Sequence, residues 1–222
     1  MTIGFDSLVT RIGRCCVALM VLATPLQAHP HVFVDGGVDF VFGSDGRLES
    51  LQVTWLYDPF ETLYILSSSE ISLNAAGGLE PADRQRLIEL RSNWPSDFEG
   101  ASHLSSAEAP VGLARPHGFD VVLINGRLQV TFERNLERPI DLRESAVDVD
   151  VYEATYFYAF TVTNIPQLLG QSADCSAEVI PYARDPQNSA LERALAALGR
   201  EETPEDARVG AYFADRISVT CA

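Results

Sequence analysis

The sequence predicts an α+β fold: two β-hairpin-based units, separated helices and one C-terminal disulfide. Three observations carry that expectation. Two pairs of β-branched and aromatic runs flank Asp45-Gly46 and Asn125-Gly126, the strongest short-range hairpin signal. The helical stretches are few and do not alternate with single strands as βαβ units would. Two late cysteines, Cys175 and Cys221, suit a single disulfide that ties down the last strand, with a two-cysteine metal site as the minority alternative.

Taken in order, residues 1–28 predict a cleavable secretory signal. Arg11 and Arg14 form a basic flank, Cys15 to Ala23 a short apolar run, and Thr24 to Ala28 a cleavage region. The apolar run falls short of the roughly 20 residues that span a bilayer. Cleavage after Ala28 leaves residues 29–222 as one periplasmic domain, with two subdomains at about 29–92 and 119–222 as a further division. No later stretch resembles a transmembrane helix, so the mature chain is not expected to insert into the membrane.

Val32 to Phe42 and Arg47 to Tyr57 form the first predicted hairpin, with His31 opening its first strand. Asp58 then suits a helix N-cap, Pro59 the first helical position, and Glu61 the third position of a capping box. Residues 72–83 have the glycine of a calcium loop at Gly77. Ser72, Asn74 and Ala76 stand where such a loop needs carboxylates, and Asp83 closes it in place of glutamate, so the stretch predicts a turn and no calcium site. A helix follows from about Pro81 to Arg91.

Residues 93–118, rich in Pro, Gly, Ser and Ala, predict an irregular connection carrying His103 and His117 as surface histidines. The second hairpin covers Phe119 to Arg134. A distant duplication would explain its likeness to the first, but the commonness of such turns also does, and a hairpin motif alone is weak evidence of duplication. Val147 to Val162 predicts strand that becomes solidly aromatic, and Ser176 to Tyr182 another strand. Helices are expected from Asp185-Pro186 to Gly199 and from Thr203 to about Ala214, before a final strand at Ile217 to Cys221.

The chain carries 16 basic against 31 acidic residues, and every basic residue is arginine. Removing Arg11, Arg14 and Asp6 with the signal leaves 14 against 30, a net charge of −16. Such a surface repels nucleic acid and anionic lipid and draws in cations, although solubility alone also explains it. No Gly-x-Ser-x-Gly, His-Glu-x-x-His, phosphate-cradling loop or reactive cysteine is present, so no enzyme is predicted.

The sharpest chemistry lies at the mature N-terminus. His29 offers its α-amine and imidazole Nδ1 to one metal ion, and His31 adds a third nitrogen two residues on. The amine loses its proton near pH ~8, so its availability at neutral pH is cheap. Nitrogen ligands of this kind suit zinc, nickel, cobalt and copper. Pro30 has no N–H to lose, which excludes the chelate that uses the second residue's deprotonated amide. Weaker candidates to complete the site are Asp58, Glu61, His103 and His117; helix capping competes for the first two.

Together, His29-Pro30-His31-Val32-Phe33, Val53 to Asp58, Tyr152 to Phe157 and the late cysteines resemble domain-of-unknown-function family number one thousand and seven. Glu153 and Ala154 depart from its usual Asp-Pro, and residues 93–118 show no match to the strand the family would have there. The resemblance implies a periplasmic component of an ABC-type or related transport system, paired with a polytopic nickel/cobalt transporter of the NicO type. The implied role is capture and hand-over of zinc, nickel or cobalt. Two rivals accompany it: a docking or gating module that binds no metal, and a copper oxidative enzyme built on the N-terminal histidine.

Overall fold

The first hairpin forms where the turn signal places it. Strand β1 (Val32–Phe42) and β2 (Leu48–Tyr57) pair antiparallel, with Val34 opposite Tyr57 and Phe40 opposite Leu51. The computed structural model describes residues 30–95, 98–172, 174–183, 186–199 and 202–222. The expected signal peptide and His29 lie outside these residues.

Helix α1 (Pro59–Ser68) follows β2 directly and buries Thr62, Ile65 and Leu66. Residues 72–78 close a turn in which Asn74 Oδ1 accepts from the N–H groups of Ala76 and Gly78. Helix α2 (Pro81–Ser92) then packs near the second hairpin, and its Arg84 donates to the Val121 carbonyl.

Residues 93–118 correct the expectation of an irregular connection. They contain β3 (Ser102–Ser106) and the two-residue β4 (Ala109–Pro110), and His117 already belongs to β5 (His117–Ile124). The stretch has one large apolar residue per strand at most, so no local period announces it. Pairing to a distant strand supplies what propensity does not.

The second hairpin joins β5 to β6 (Arg127–Ile140) through Asn125 and Gly126, whose φ values of 52° and 77° are those a two-residue primed turn requires. Residues 147–162 also differ from a single strand. They divide into β7 (Val147–Val151) and β8 (Tyr158–Val162), which belong to different sheets. The break at 152–157 is stabilised by Glu153, whose carboxylate accepts from the N–H groups of Thr155 and Phe157. A short β9 (Leu168–Gly170) comes next, then β10 (Cys175–Ile180), α3 (Pro186–Ala196) and β11 (Asp215–Cys221).

The helix expected over 203–214 is reduced to a 3₁₀ turn at Val209–Phe213. Asp206 Oδ1 binds the Arg208 N–H, a local bond that competes with helix. Gly210 then lies hard against the chain at 153–154, donating to the Ala154 carbonyl; a Cβ there would meet the Glu153 carbonyl at 1.8 Å.

These strands form two sheets among the described residues. One runs β5-β6-β2-β1-β8, with β9 also on β1; the other runs β10-β11-β7-β3-β4. The two hairpins therefore share one sheet, joined by the β2–β6 pairing. Alternating buried positions from both sheets, among them Phe40, Leu51, Phe132, Leu104, Val149 and Ile217, meet in a single apolar cluster. Burial of that surface is the main favourable term in folding.

Arg127 locks the hairpins together. Its guanidinium donates to the carbonyls of Tyr57 and Leu56 and to Asp35 Oδ2 at 2.7 Å. Buried Asp215, at the start of β11, accepts from the N–H groups of Val162 and Tyr182, so one carboxylate ties the end of β8 in one sheet to the second sheet and to the segment after β10.

The expected disulfide joins Cys175 to Cys221, directly opposite each other in the β10–β11 ladder. With 46 residues of separation, the loop-entropy model gives it about 4 kcal/mol. Replacing both cysteines by serine is expected to lower urea-unfolding stability by up to that amount. A loss under about 1 kcal/mol would show that the β-ladder alone fixes this pairing.

Candidate metal site at the first strand

His31 is the last residue before β1. Its backbone N–H donates to the Phe157 carbonyl at 3.0 Å, and its ring packs on the Phe157 ring with centroids 4.7 Å apart. The start of β1 pairs in parallel with β8, Val32 opposite Tyr158, so His31 is held where the chain enters the sheet. Half-buried and fixed on both its backbone and ring, it is part of the folded body.

Asp58 connects this entry point to α1. Its Oδ1 accepts from the N–H groups of Phe60 and Glu61 at 2.8 and 2.9 Å, the N-cap bonds expected from sequence. Its Oδ2 accepts from the Phe33 N–H at 2.8 Å, while the Asp58 N–H donates to the Phe33 carbonyl. An ionised carboxylate offers about four lone-pair sites. Three are filled here by backbone, so Asp58 retains one for any cation.

That geometry corrects the capping box. In a capping box the third residue's carboxylate reaches back to the N-cap N–H. Here the Asp58 N–H is already taken by Phe33, so Glu61 has nothing to close on. Its half-buried carboxylate accepts no hydrogen bond among the described residues. Burial holds the Glu61 carboxyl above the usual carboxylate range; the Arg91 guanidinium opposes this and the Asp58 charge adds to it. Glu61 is thus the less engaged carboxylate of the two.

The other histidines stand elsewhere. His103 lies on β3, not at the surface as expected: its ring stacks on Tyr152 at 3.8 Å and its Nε2 donates to the Tyr152 carbonyl at 3.1 Å. Its Nδ1 is 3.5 Å from Glu99 Oε2, a pairing that needs the protonated ring, and burial lowers its pKa below the ordinary histidine value. Its Nε2 is therefore engaged. His117 is exposed at the start of β5, opposite Glu133. No three His, Cys, Asp or Glu side chains come together as a metal cage among the described residues. His29, the ligand expected to act with His31, lies outside them.

Two features of this end of the molecule were not anticipated from sequence. Phe33, Phe60, Leu63 and Tyr64 are 55%, 86%, 65% and 63% exposed, so the outer face of α1 and the start of β1 present large apolar side chains to solvent. The spacing of Phe60, Leu63 and Tyr64 is the signal that could have shown it, since i, i+3, i+4 residues share one helix face. The second feature is an aromatic cluster around Trp55 and Trp94, the chain's two tryptophans, stacked 5.6 Å apart.

Substituting the two acids should separate their roles. Asp58→Ala is expected to cost about 2–3 kcal/mol, because a cap and a strand-entry acceptor are lost together. A carboxyl whose folded-state pKa is raised disfavours folding when charged, so Glu61→Gln is expected to leave neutral-pH stability unchanged or slightly higher, within about 0.5 kcal/mol. Chemical denaturation of both variants checks the pair; equal losses would restore a capping role to Glu61.

The family model described as "Protein of unknown function (DUF1007)" matches residues 14–221. A search of curated proteins finds no match. With the match covering nearly the whole chain, the resemblance seen at His29 to Phe33 and Tyr152 to Phe157 is one of membership: the chain belongs to the DUF1007 family.

Proposed function

We propose that this is an exported accessory protein that captures a divalent transition metal at its mature N-terminus and hands it to a membrane transporter. The observation that carries the reading is the local arrangement at the start of β1. His31 is anchored against Phe157, and Glu61 carries a half-buried carboxylate with no hydrogen bond beside the cap that holds β1 to α1. His29, two residues before His31, adds its amine and imidazole when the chain begins there.

The chemistry fits cargo. A site assembled from a chain terminus and one or two edge residues is open on one side, which favours exchange over permanent retention. Nitrogen-rich ligation suits zinc, nickel, cobalt or copper, and the acidic surface raises the local concentration of cations. The disulfide agrees with an oxidising compartment. No helix among the described residues is long and apolar enough to cross a membrane.

A second reading is favoured by the exposed apolar face of α1. Phe33 and Phe60 flank the Asp58 cap, so a polytopic transporter of the NicO type could be engaged there, with the domain acting as a docking or gating module without binding metal itself. In transport assays, His31→Ala leaves that role intact and Leu63→Asp abolishes it, whereas under the capture reading His31→Ala abolishes transport.

Calorimetric titration with zinc, nickel, cobalt and copper tests the primary reading. Protein starting at His29 is expected to bind at least one ion with a 1:1 stoichiometry. One extra residue before His29 should weaken binding by more than about tenfold by displacing the α-amine. Absence of binding in the correctly processed protein contradicts the proposal.

A further inference from the structure

A cavity of about 290 Å³ lies against the sheet face formed by β2, β6 and β8, beside the C-terminal end of α2. That size is at the lower end of the roughly 300–1,000 Å³ typical of small-molecule sites. Trp55, Trp94, Phe98, Phe119 and Phe160 give it an aromatic lining, and Arg91 and Asn93 place polar groups in the same wall. The Trp55 and Trp94 rings lie parallel to within 7°, and Phe98 meets Trp94 edge-on at 4.8 Å. Flat apolar matter is what such a lining accommodates.

The polar balance of the wall is one-sided. Trp55 is 7% exposed, and its indole Nε1 has no hydrogen-bond partner among the described residues; the buried Nε of Arg91 has none there either. Burial pushes the Tyr158 phenol up to about 12 and raises Tyr57 further, so both phenols stay protonated at neutral pH. Among the described residues Glu153 is the one carboxylate in the lining, and its oxygens are occupied by the Thr155 hydroxyl and the N–H groups of Thr155 and Phe157. Glu61 influences Arg91 through space but forms no ion pair with it. Two buried donors thus stand unsatisfied among the described residues, and such groups are rare enough in native proteins to call for an explanation.

We propose that this cavity is a binding site for a small aromatic carboxylate. The ring is held among Trp94, Phe98 and Phe160, and the carboxylate is directed to the Arg91 guanidinium and the Trp55 Nε1–H. Because both orphan donors are sealed from solvent, the ligand reaches them by parting Trp94 from Trp55. The site uses side chains other than those of the N-terminal metal reading.

Trp55 and Trp94 are the chain's whole complement of tryptophan, so intrinsic emission reports on this cavity alone. The test is titration of the mature protein with phenylacetate and with 2-phenylethanol, its neutral counterpart, in EDTA so that bound metal plays no part. Phenylacetate is expected to change emission saturably and to bind at least about tenfold more tightly than the alcohol. Arg91→Met should erase that preference, and Leu90→Trp, which fills the cavity from its rim, should abolish binding of both; far-UV circular dichroism checks that each variant folds. No saturable change, equal affinity for the two probes, or binding unaltered in Leu90→Trp would each overturn the proposal.

Discussion

The carboxylate of Asp58 is the constraint on which the junction of β1 and α1, where the candidate metal site lies, depends. It receives three backbone N–H groups, one from β1 and two from the first turn of α1. Strand entry and helix start are therefore set by one side chain, two residues along the strand from where Phe157 holds His31. Because the Asp58 N–H returns to the Phe33 carbonyl, the same contact that builds this junction leaves Glu61 without the capping partner its spacing predicts.

The same use of carboxylates recurs through the chain. Glu153 organises the break between β7 and β8, and Asp215 joins the segments at Val162 and Tyr182. In a protein with 31 acidic residues, carboxylates near histidines look like ligand candidates by number alone. Several of them serve instead as acceptors for backbone N–H groups that burial would otherwise orphan, a cost of about 1–3 kcal/mol each. Arg127 performs the complementary task for the carbonyls of Leu56 and Tyr57.

Much of the fold was legible because its signals are local. Asp-Gly and Asn-Gly turns between β-branched runs located both hairpins, Asp58-Pro59 located α1, and the pair of late cysteines, Cys175 and Cys221, located the disulfide. What escaped depends on distant partners. Strand β3 has a single leucine and exists through pairing with β7, and β9 gains its place through a parallel contact with β1. The aborted helix at 203–214 yields to the close approach of Gly210 to residues 153–154. At the site, His31 and Asp58 could be picked out by residue type, but Glu61's freedom and His103's stacking on Tyr152 arise only from tertiary geometry.

The metal reading and the exposed apolar face are compatible, since capture needs an open site and delivery needs a surface that a membrane partner can grip. The central claim is that the ion sits at the start of β1. Anomalous diffraction at the zinc edge, from crystals of the protein beginning at His29 and loaded with zinc, tests it most directly. The account predicts one zinc held by the His29 amine and imidazole and by His31, with Glu61 the nearest carboxylate. Zinc bound at His103 or His117 instead, or an ordered N-terminus with no zinc upon it, would contradict it.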